Sequence, residues 1–402
     1  MGDVRTVTRE IPDYPLDIFT HDAVRNARAV DDALREFSPA VRLADGVVMI
    51  GRHEHVAPGL MDWKSFSSTS RPWHDPKSLR PEILLTDDPP RHTKVRSVIA
   101  NALSPRTLDG MRDIFVAGAD GLVAELRERH GDVIDAVDEV TRRYVYTVFP
   151  EALGLPPGDH IAPMHGFSNM VWATMGPENA LFREAMVEDF RPVLSWLDMV
   201  SQRDGLNPDG FGMLLFKAAD EGKITLDEAR LLLLTILSAG ADTTYITMAN
   251  ALRAWAEFPG EYERLKADPK LVRNAFDESL RWDSPSRMAG RIAQVDVPID
   301  DMIVPAGTRV GLMFAAANRD PRFWQAPETY RIGRDLRHSL GFGYGVHACV
   351  GRTLAYMEAD ALLGALVREV ERIELAGEIE PWMTTVGHGP ARAPVRLFFK
   401  GR

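Results

Sequence analysis

The most informative segment of the chain reads Phe342-Gly343-Tyr344-Gly345-Val346-His347-Ala348-Cys349-Val350-Gly351. It holds the only cysteine of the 402 residues, and the apolar pattern predicts a helix that begins just after it, at about Thr353. Glycine permits tight turns and close approach of the backbone. A sulfur just before a helix N-terminus lies in a field that favours thiolate over thiol. The segment therefore has the composition of a loop that presents one thiolate ligand to a flat cofactor.

Three other interpretations of this loop stay open on the residues alone. A lone cysteine before a helix is more often an inert, small apolar residue. Gly343, Gly345 and Ala348 fit the G-x-G-x-x-A fingerprint of dinucleotide-binding proteins. However, the charged stretch from Gly333 to Leu340 is unlike the buried strand that must precede this fingerprint. A cysteine nucleophile with His347 as its base requires two side chains that face each other, which neighbours on a loop need not do.

Composition predicts a folded protein with one large domain. Hydrophobic residues make up 45% and charged residues 26% of the chain, and no repeat or flexible linker divides residues 1–402. The net charge of −11 without a long basic tract argues against nucleic acid or a membrane surface as partner. The polar N-terminus resembles neither a signal peptide nor an anchor, and the apolar run Leu231 to Leu237 is too short to span a bilayer. A single cysteine fits a reducing compartment, so we expect a cytoplasmic protein. We also expect a monomer.

Helical periodicity dominates the chain. The predicted helices are Arg91 to Leu103, Leu108 to Arg129, Leu226 to Phe258, Leu271 to Trp282 and Thr353 to Leu375. Short segments rich in branched residues are predicted strands: Val41 to Ile50, Val295 to Ile299 and Arg309 to Phe314. The longest helix starts at a capping box of Thr225 and Glu228 and should cross the middle of the protein. We therefore predict a mainly α protein with small β-sheets.

The cysteine segment resembles the F-G-x-G-x-H-x-C-x-G haem-binding loop of bacterial cytochromes P-450. The matching residues are Phe342, Gly343, Gly345, His347, Cys349 and Gly351. The resemblance extends from about Thr86 to Gly389. It implies a single cytochrome P-450 domain with a long central helix over haem b, and Cys349 as the axial ligand of the iron.

A second resemblance concerns Glu278 and Arg281, which match the family's buried Glu-x-x-Arg pair. The same spacing recurs elsewhere in the chain, as at Glu261 with Arg264, so the spacing alone proves nothing. Context favours Glu278, because Asn318-Arg319-Asp320-Pro321 stands between it and the cysteine loop in the family's order. We interpret the pair as structural support beneath the haem.

The centre of the long helix resembles the family's distal motif, in Ala239-Gly240-Ala241-Asp242-Thr243-Thr244. The resemblance implies Ala239 and Gly240 beside the haem, and Asp242 and Thr243 as catalytic residues. A hydroxyl would position dioxygen, and a neighbouring carboxylate would relay protons. In the alternative interpretation, the threonine returns its hydroxyl to a backbone carbonyl and bends the helix.

The resemblance also implies partners for the two haem propionates, which need cations or hydrogen-bond donors when buried. These are His92, Arg96, Arg291 and His347. Each residue alone would be taken for a surface cation. Together, in the family's order, they are predicted to bind the cofactor.

The implied activity is a monooxygenase reaction that uses O2. The chain has no flavin motif, and one cysteine cannot hold a four-cysteine iron–sulfur cluster, so electrons must come from a separate ferredoxin and its NAD(P)H-dependent reductase. This donor is expected to dock beneath Cys349, near Arg352, Arg91, Lys94 and Arg106. The alternative class is a non-catalytic haem sensor, which would not need Asp242 and Thr243.

Three segments look closest to bacterial enzymes that O-demethylate methoxybenzoates: Leu237 to Thr244, Arg273 to Phe276 and Ala317 to Pro321. The expected substrate is thus a small methoxylated aromatic compound. The predicted pocket residues are Leu234, Ser238, Ala241, Met288, Ala289 and Val386, with Phe167 or Trp172. Where benzoate-binding relatives place polar or cationic groups, this chain has Leu234 and Glu82, which leaves Arg80 and Thr235 nearby. A methoxyphenol is therefore as good a candidate as an acid, and a terpenoid or fatty acid remains the alternative.

Overall fold

The computed structural model describes residues 9–70, 72–73, 83–186 and 191–401. Its α-helices are α1 His21–Arg25, α2 Ala27–Phe37, α3 His53–Met61, α4 Arg91–Ala102, α5 Pro105–Asp109, α6 Arg112–Glu128, α7 Arg142–Leu153, α8 Ile161–Ala173, α9 Ala180–Ala185, α10 Arg191–Val200, α11 Met213–Asp220, α12 Leu226–Gly240, α13 Asp242–Glu257, α14 Pro259–Ala267, α15 Val272–Trp282, α16 Phe314–Ala317 and α17 Arg352–Glu369. A π-helix covers Ala136–Thr141, and 3-10 turns cover Arg203–Gly205, Pro269–Leu271 and Gly345–His347.

The strands are short and form four small sheets. They are β1 Ala40–Arg42, β2 Val48–Ile50, β3 Phe66–Ser67, β4 Val133–Asp135, β5 Ala289–Ala293, β6 Val297–Ile299, β7 Met302–Val304, β8 Arg309–Leu312, β9 Val370–Leu375, β10 Glu380–Pro381, β11 Pro390–Arg392 and β12 Pro394–Phe399. The largest sheet has the order β1-β2-β8-β5-β3, and a second has the order β4-β12-β9. Two-stranded sheets β6-β7 and β10-β11 complete the set among the described residues. The prediction of a mainly α protein with small sheets is confirmed.

The central helix begins as predicted but is broken in the middle. The Thr225 side chain accepts from the Glu228 amide at 3.1 Å, and the Glu228 carboxylate accepts from the Thr225 amide at 2.9 Å. The helix ladder is interrupted at Ala241, so the prediction of one continuous helix to Phe258 is wrong. The hydroxyls of Thr243 and Thr244 donate to the carbonyls of the residues four positions earlier, where they compete with backbone amides for the same acceptors.

Three other predicted boundaries are also wrong. Leu108 to Arg129 divides into α5 and α6 around Gly110, because Ser104 and Pro105 start a separate short helix. The predicted helix Thr353 to Leu375 ends earlier, because its last residues, Val370–Leu375, pair with β12 and form strand β9. Val41 to Ile50 forms the hairpin β1-β2 rather than one strand.

Helix α13 runs through the core, where it contacts the π-helix, α7, α15, α17 and β9. By length and composition alone, the joined span Leu226–Glu257 could cross a membrane. In the fold, 61% of its most apolar window is buried inside the protein. Among the described helices it is therefore best understood as the apolar centre of the core.

The Glu278–Arg281 pair is fully buried, as predicted for a structural support. The Arg281 guanidinium donates to both Glu278 oxygens at 2.7 and 2.8 Å, and Arg334 donates to the same carboxylate at 3.1 Å. Arg281 also donates to the Asn318 carbonyl, and the Asn318 side chain accepts from the Leu340 amide at 2.8 Å. Because Leu340 precedes the cysteine loop, this network fixes the start of that loop.

Candidate functional site

A cavity of about 380 Å³ lies between the central helix and the cysteine loop. Most predicted site residues line it: His92, Arg96, Ser238, Ala239, Gly240, Thr243, Met288, Ala289, Arg291, Phe342, Gly343, His347, Cys349, Gly351 and Val386. Leu234, Ala241 and Asp242 do not line the cavity. The fold thus gathers residues from α4, α12, α13, β5 and the loop before α17 around one space.

The cysteine loop is folded by its own backbone hydrogen bonds. The Cys349 amide donates to the Phe342 carbonyl at 2.7 Å, and the Gly343 amide donates to the Leu340 carbonyl at 2.8 Å. Gly345 has a φ of +69°, and a Cβ there would lie 2.5 Å from the Leu60 carbonyl oxygen. Only glycine fits such a conformation and such a close approach, so this part of the motif is required by packing against α3.

The Cys349 side chain is exposed to the cavity, although protein atoms surround it on its other sides. Burial raises the pKa of this thiol, while hydrogen bonding from the Gly351 and Arg352 backbone and the charges of Arg352 and Arg96 lower it. The predicted field of the helix N-terminus is thus present but outweighed by burial. A bound metal ion would complete the deprotonation, because coordination removes the thiol proton.

Four basic side chains converge along one edge of the cavity. The rings of His92 and His347 lie 4.4 Å apart, and the Arg96 guanidinium donates to the Ala348 carbonyl at 2.6 Å. Burial, together with the charges of Arg291, His92 and Arg96, lowers the pKa of His347 to about 3. Burial lowers the pKa of Arg291 to about 10. The charge of Asp88 opposes this lowering of the pKa at Arg291 and at His92, but burial outweighs it.

This edge fits a ligand that carries two carboxylates. Within the described parts of the chain, neither Arg96 nor Arg291 forms an ion pair, and both buried ring nitrogens of His92 lack a hydrogen-bond partner. His347 contacts the Ser68 hydroxyl at 3.0 Å, and Ser68 is a site residue that the sequence did not reveal. A flat cofactor with its carboxylates on this cluster and its metal on Cys349 would satisfy these groups, as haem would.

The distal wall is formed by Ala239, Gly240 and Thr243. The Thr243 hydroxyl lines the cavity and donates to the Ala239 carbonyl at 3.3 Å, so the backbone interaction of the alternative interpretation is present. A Cβ at Gly240 would lie 3.1 Å from the Phe149 ring. Packing against α7 is thus a sufficient reason for this glycine.

Asp242 faces away from the cavity and is almost completely buried. Its carboxylate accepts from the Tyr146 hydroxyl at 2.5 Å and from the Ser168 hydroxyl. Burial raises the pKa of Asp242 to about 6, although both hydrogen bonds lower it. Tyr146 and Ser168 were missed by sequence reasoning, because no local pattern links α7 and α8 to the centre of the long helix.

Some of the residues predicted to contact the substrate line the cavity, and others do not. Trp172 lines the cavity, whereas Phe167 packs against Trp196 in the core. On α12, Thr235 lines the cavity, whereas its neighbour Leu234 does not. Arg80 and Glu82 lie outside the described residues.

Known proteins are similar to this chain over most of its length. The profile of the family described as Cytochrome P450 matches residues 195–386. Cytochrome p450 CYP199A2 of Rhodopseudomonas palustris is 36% identical over 400 residues, covering 96% of this chain and 95% of its own. A vitamin D(3) 25-hydroxylase of Pseudonocardia autotrophica is 27% identical, and the match covers 95% of this chain and 96% of the hydroxylase. The structure of CYP109Q5 from Chondromyces apiculatus superimposes with a TM-score of 0.79 at 29% identity, covering 96% of this chain and 99% of that one. The chain therefore belongs to the cytochrome P450 family, monooxygenases that use haem iron and O2 with electrons supplied from NAD(P)H by redox partners.

Proposed function

We propose that this protein hydroxylates or O-demethylates a small aromatic compound of the methoxyphenol or methoxybenzoate type. It would act as a single-domain monomer in the cytoplasm, with a ferredoxin and its reductase as electron source. The observation that carries the proposal is the Cys349 loop opposite a mostly apolar wall across one cavity. Hydroxylation of a methoxy carbon gives a hemiacetal, which separates into a phenol and formaldehyde.

The residues of the cavity have distinct proposed roles in binding haem. Cys349 would bind the iron through its sulfur, and His92, Arg96, Arg291 and His347 would bind the propionates. Phe342, Gly343, Gly351, Ala239 and Gly240 would form the surfaces above and below the ring. When bound, haem supplies the iron that binds and activates dioxygen.

Thr243 and Asp242 are proposed to serve oxygen activation. The Thr243 hydroxyl is at the cavity wall and is held by one weak bond to the Ala239 carbonyl, so it can turn to position a bound oxygen molecule. Asp242 follows the break at Ala241 and has a pKa of about 6, which suits a group that both takes up and releases protons near neutral pH.

The substrate wall favours a neutral ring. Trp172, Met288, Ala289 and Val386 provide apolar surface, with the Ser238 and Thr235 hydroxyls at its edge. The arginines of the described cavity are those proposed to bind the propionates. A buried substrate carboxylate would therefore lack a cation of its own, which favours a methoxyphenol over a methoxybenzoate. The same apolar wall also fits a terpenoid or a fatty acid, which is the second candidate.

The proposed electron donor binds the face that carries Arg352. This guanidinium lies 4.9 Å from the centre of the Phe342 ring, beside the cysteine loop, and is exposed. Arg91, Lys94 and Arg106 are exposed as well. Such a basic surface would attract an acidic ferredoxin despite the negative total charge.

Methoxyphenols, methoxybenzoates, a monoterpene and a fatty acid should be titrated into the ferric protein, with formaldehyde measured on turnover. We expect a low-spin to high-spin shift with a methoxylated ring, and formaldehyde in proportion to NADH consumed. Tight binding of the terpene or fatty acid, with no spin shift from either aromatic series, would overturn the substrate assignment.

A further inference from the structure

The Asp242 carboxylate is held by hydroxyls on two other helices. Tyr146 is on α7 and donates to Oδ1, and Ser168 is on α8 and donates to Oδ2. All three side chains are almost completely buried. Both carboxylate oxygens are thus occupied by donors on the side of α13 away from the cavity.

Trp172 is close to both this carboxylate and the cavity. It lies one turn after Ser168 on α8, and its ring lines the cavity. Its indole N–H faces Asp242 but does not reach hydrogen-bonding geometry, and it has no partner among the described residues. The Asp242 carboxylate itself does not line the cavity in the arrangement observed.

Several other groups around Asp242 influence its charge. Arg142 on α7 lowers the pKa of Asp242 by its positive charge, and Arg142 is itself paired with Asp138 on the π-helix. Tyr245, one turn along α13, contacts the ring of Tyr146. His165 on α8 has its pKa lowered to about 4 by burial and by Arg142, so it is neutral near pH 7. Among the described residues, the groups that form hydrogen bonds to the carboxylate are the hydroxyls of Tyr146 and Ser168.

We propose that Tyr146 and Ser168 are positioning residues for proton delivery: they hold the Asp242 carboxylate away from the cavity, and it reaches the cavity only after releasing one of the two hydroxyls. This inference rests on the proposed role of Asp242 in oxygen activation. Tyr146 and Ser168 would then set how readily the carboxylate is released, without contacting substrate or cofactor.

The first test measures the pKa of Asp242 in the ferric holoenzyme. The carboxyl C=O infrared band of Asp242 is identified by its loss in Asp242→Asn, and its intensity is followed against pH. Each hydroxyl stabilises the charged form, so Tyr146→Phe and Ser168→Ala should each raise this pKa by about one unit. Tyr144→Phe is the matched control, because the Tyr144 hydroxyl is also buried on α7 but donates to the Phe115 carbonyl.

The second test measures NADH-driven oxygen consumption against pH, with a surrogate ferredoxin and reductase and 4-methoxyphenol as the probe. The pH midpoint that disappears in Asp242→Asn should move upward in Tyr146→Phe and Ser168→Ala, and Ser168→Thr should restore it. A parent-like rate in Asp242→Asn would overturn the proposed role of Asp242 and this inference with it. A second outcome would overturn this inference but leave the proposed role of Asp242 intact: oxygen consumption is slow in Asp242→Asn, yet Tyr146→Phe and Ser168→Ala keep the parent's Asp242 pKa and pH midpoint.

Discussion

Replacement of Asp31 by alanine should destabilise the protein and loosen the substrate wall. Asp31 on α2 accepts from the Arg287 guanidinium at 2.6 and 3.2 Å, and the two side chains are 3% and 0% exposed. Arg287 also donates to the Thr385 carbonyl at 2.8 Å. Its neighbour Met288 and the neighbour of Thr385, Val386, both line the cavity. The ion pair therefore joins two parts of the cavity wall to α2.

The expected magnitude follows from burial. Removal of one partner leaves the other charge buried without compensation, which costs about 3–5 kcal/mol. For a chain of this length, that lowers Tm by about 4–6 °C. Circular dichroism melts would measure the stability. Titration of 4-methoxyphenol, followed by the haem spin shift, would measure the affinity, which we expect to weaken.

Two further variants make this result interpretable. Asp13→Ala removes an exposed ion pair with Arg42, where little loss is expected. The double variant Asp31→Leu with Arg287→Met leaves no unpaired charge, so it should recover much of the lost stability. The reasoning would be refuted if Asp31→Ala melted within about 1 °C of the parent protein, or if the double variant were less stable than Asp31→Ala.

Four other outcomes are expected. In Cys349→Ala, the reduced, carbon monoxide-bound protein should lose the absorption band of thiolate ligation together with monooxygenase activity; persistence of that band would contradict the ligand assignment. Thr243→Ala should retain haem and substrate binding but release more of the NADH electrons as hydrogen peroxide, whereas Thr147→Ala, which removes a similar hydroxyl-to-carbonyl bond away from the cavity, should remain coupled. Burial raises the pKa of Glu358 well above 4.5, so above about pH 4.5 the unfolded state loses a proton that the native state keeps, and stability falls as pH rises. In urea denaturation, the free energy of unfolding of Glu358→Gln should therefore rise relative to that of the parent from pH 5 to pH 8. An equal difference between the two proteins at both pH values would contradict this. Finally, reduction by an acidic ferredoxin should slow as salt is added, and Arg352→Gln should weaken that dependence; a rate that does not respond to ionic strength would count against the basic surface.

The sequence was most informative where function restricts several neighbouring residues. The cysteine loop was predictable because its glycines, aromatic residue and sulfur lie within ten positions, and Gly345 is required by its own close contact with α3. The Thr225 capping box was predictable for the same reason. The Glu278–Arg281 pair needed context, because its spacing is common and only burial distinguishes it from surface pairs.

Other features depend on contacts between distant segments and were therefore missed. A bend caused by a threonine hydroxyl was only the alternative interpretation of the sequence, and the complete break of the helix at Ala241 was not predicted. The strand at Val370–Leu375 forms because β12 is available as a partner. Helical spacing placed Leu234 and Ala241 in the pocket, but only the packing of α12 against α8 and α11 decides which face points inward.

The wide spacing of the cavity residues along the chain has a consequence for biogenesis. Ser68 and Val386 belong to the same cavity although more than three hundred residues separate them. A nascent chain therefore has no such pocket until nearly all of it has been synthesised and folded. Haem should then be captured by the finished fold rather than by an early intermediate, and its binding would draw the population toward that fold by mass action. Haem binding would thus distinguish correctly assembled chains late in folding, because a chain that does not bring the segments of Ser68 and Val386 together does not form the cavity.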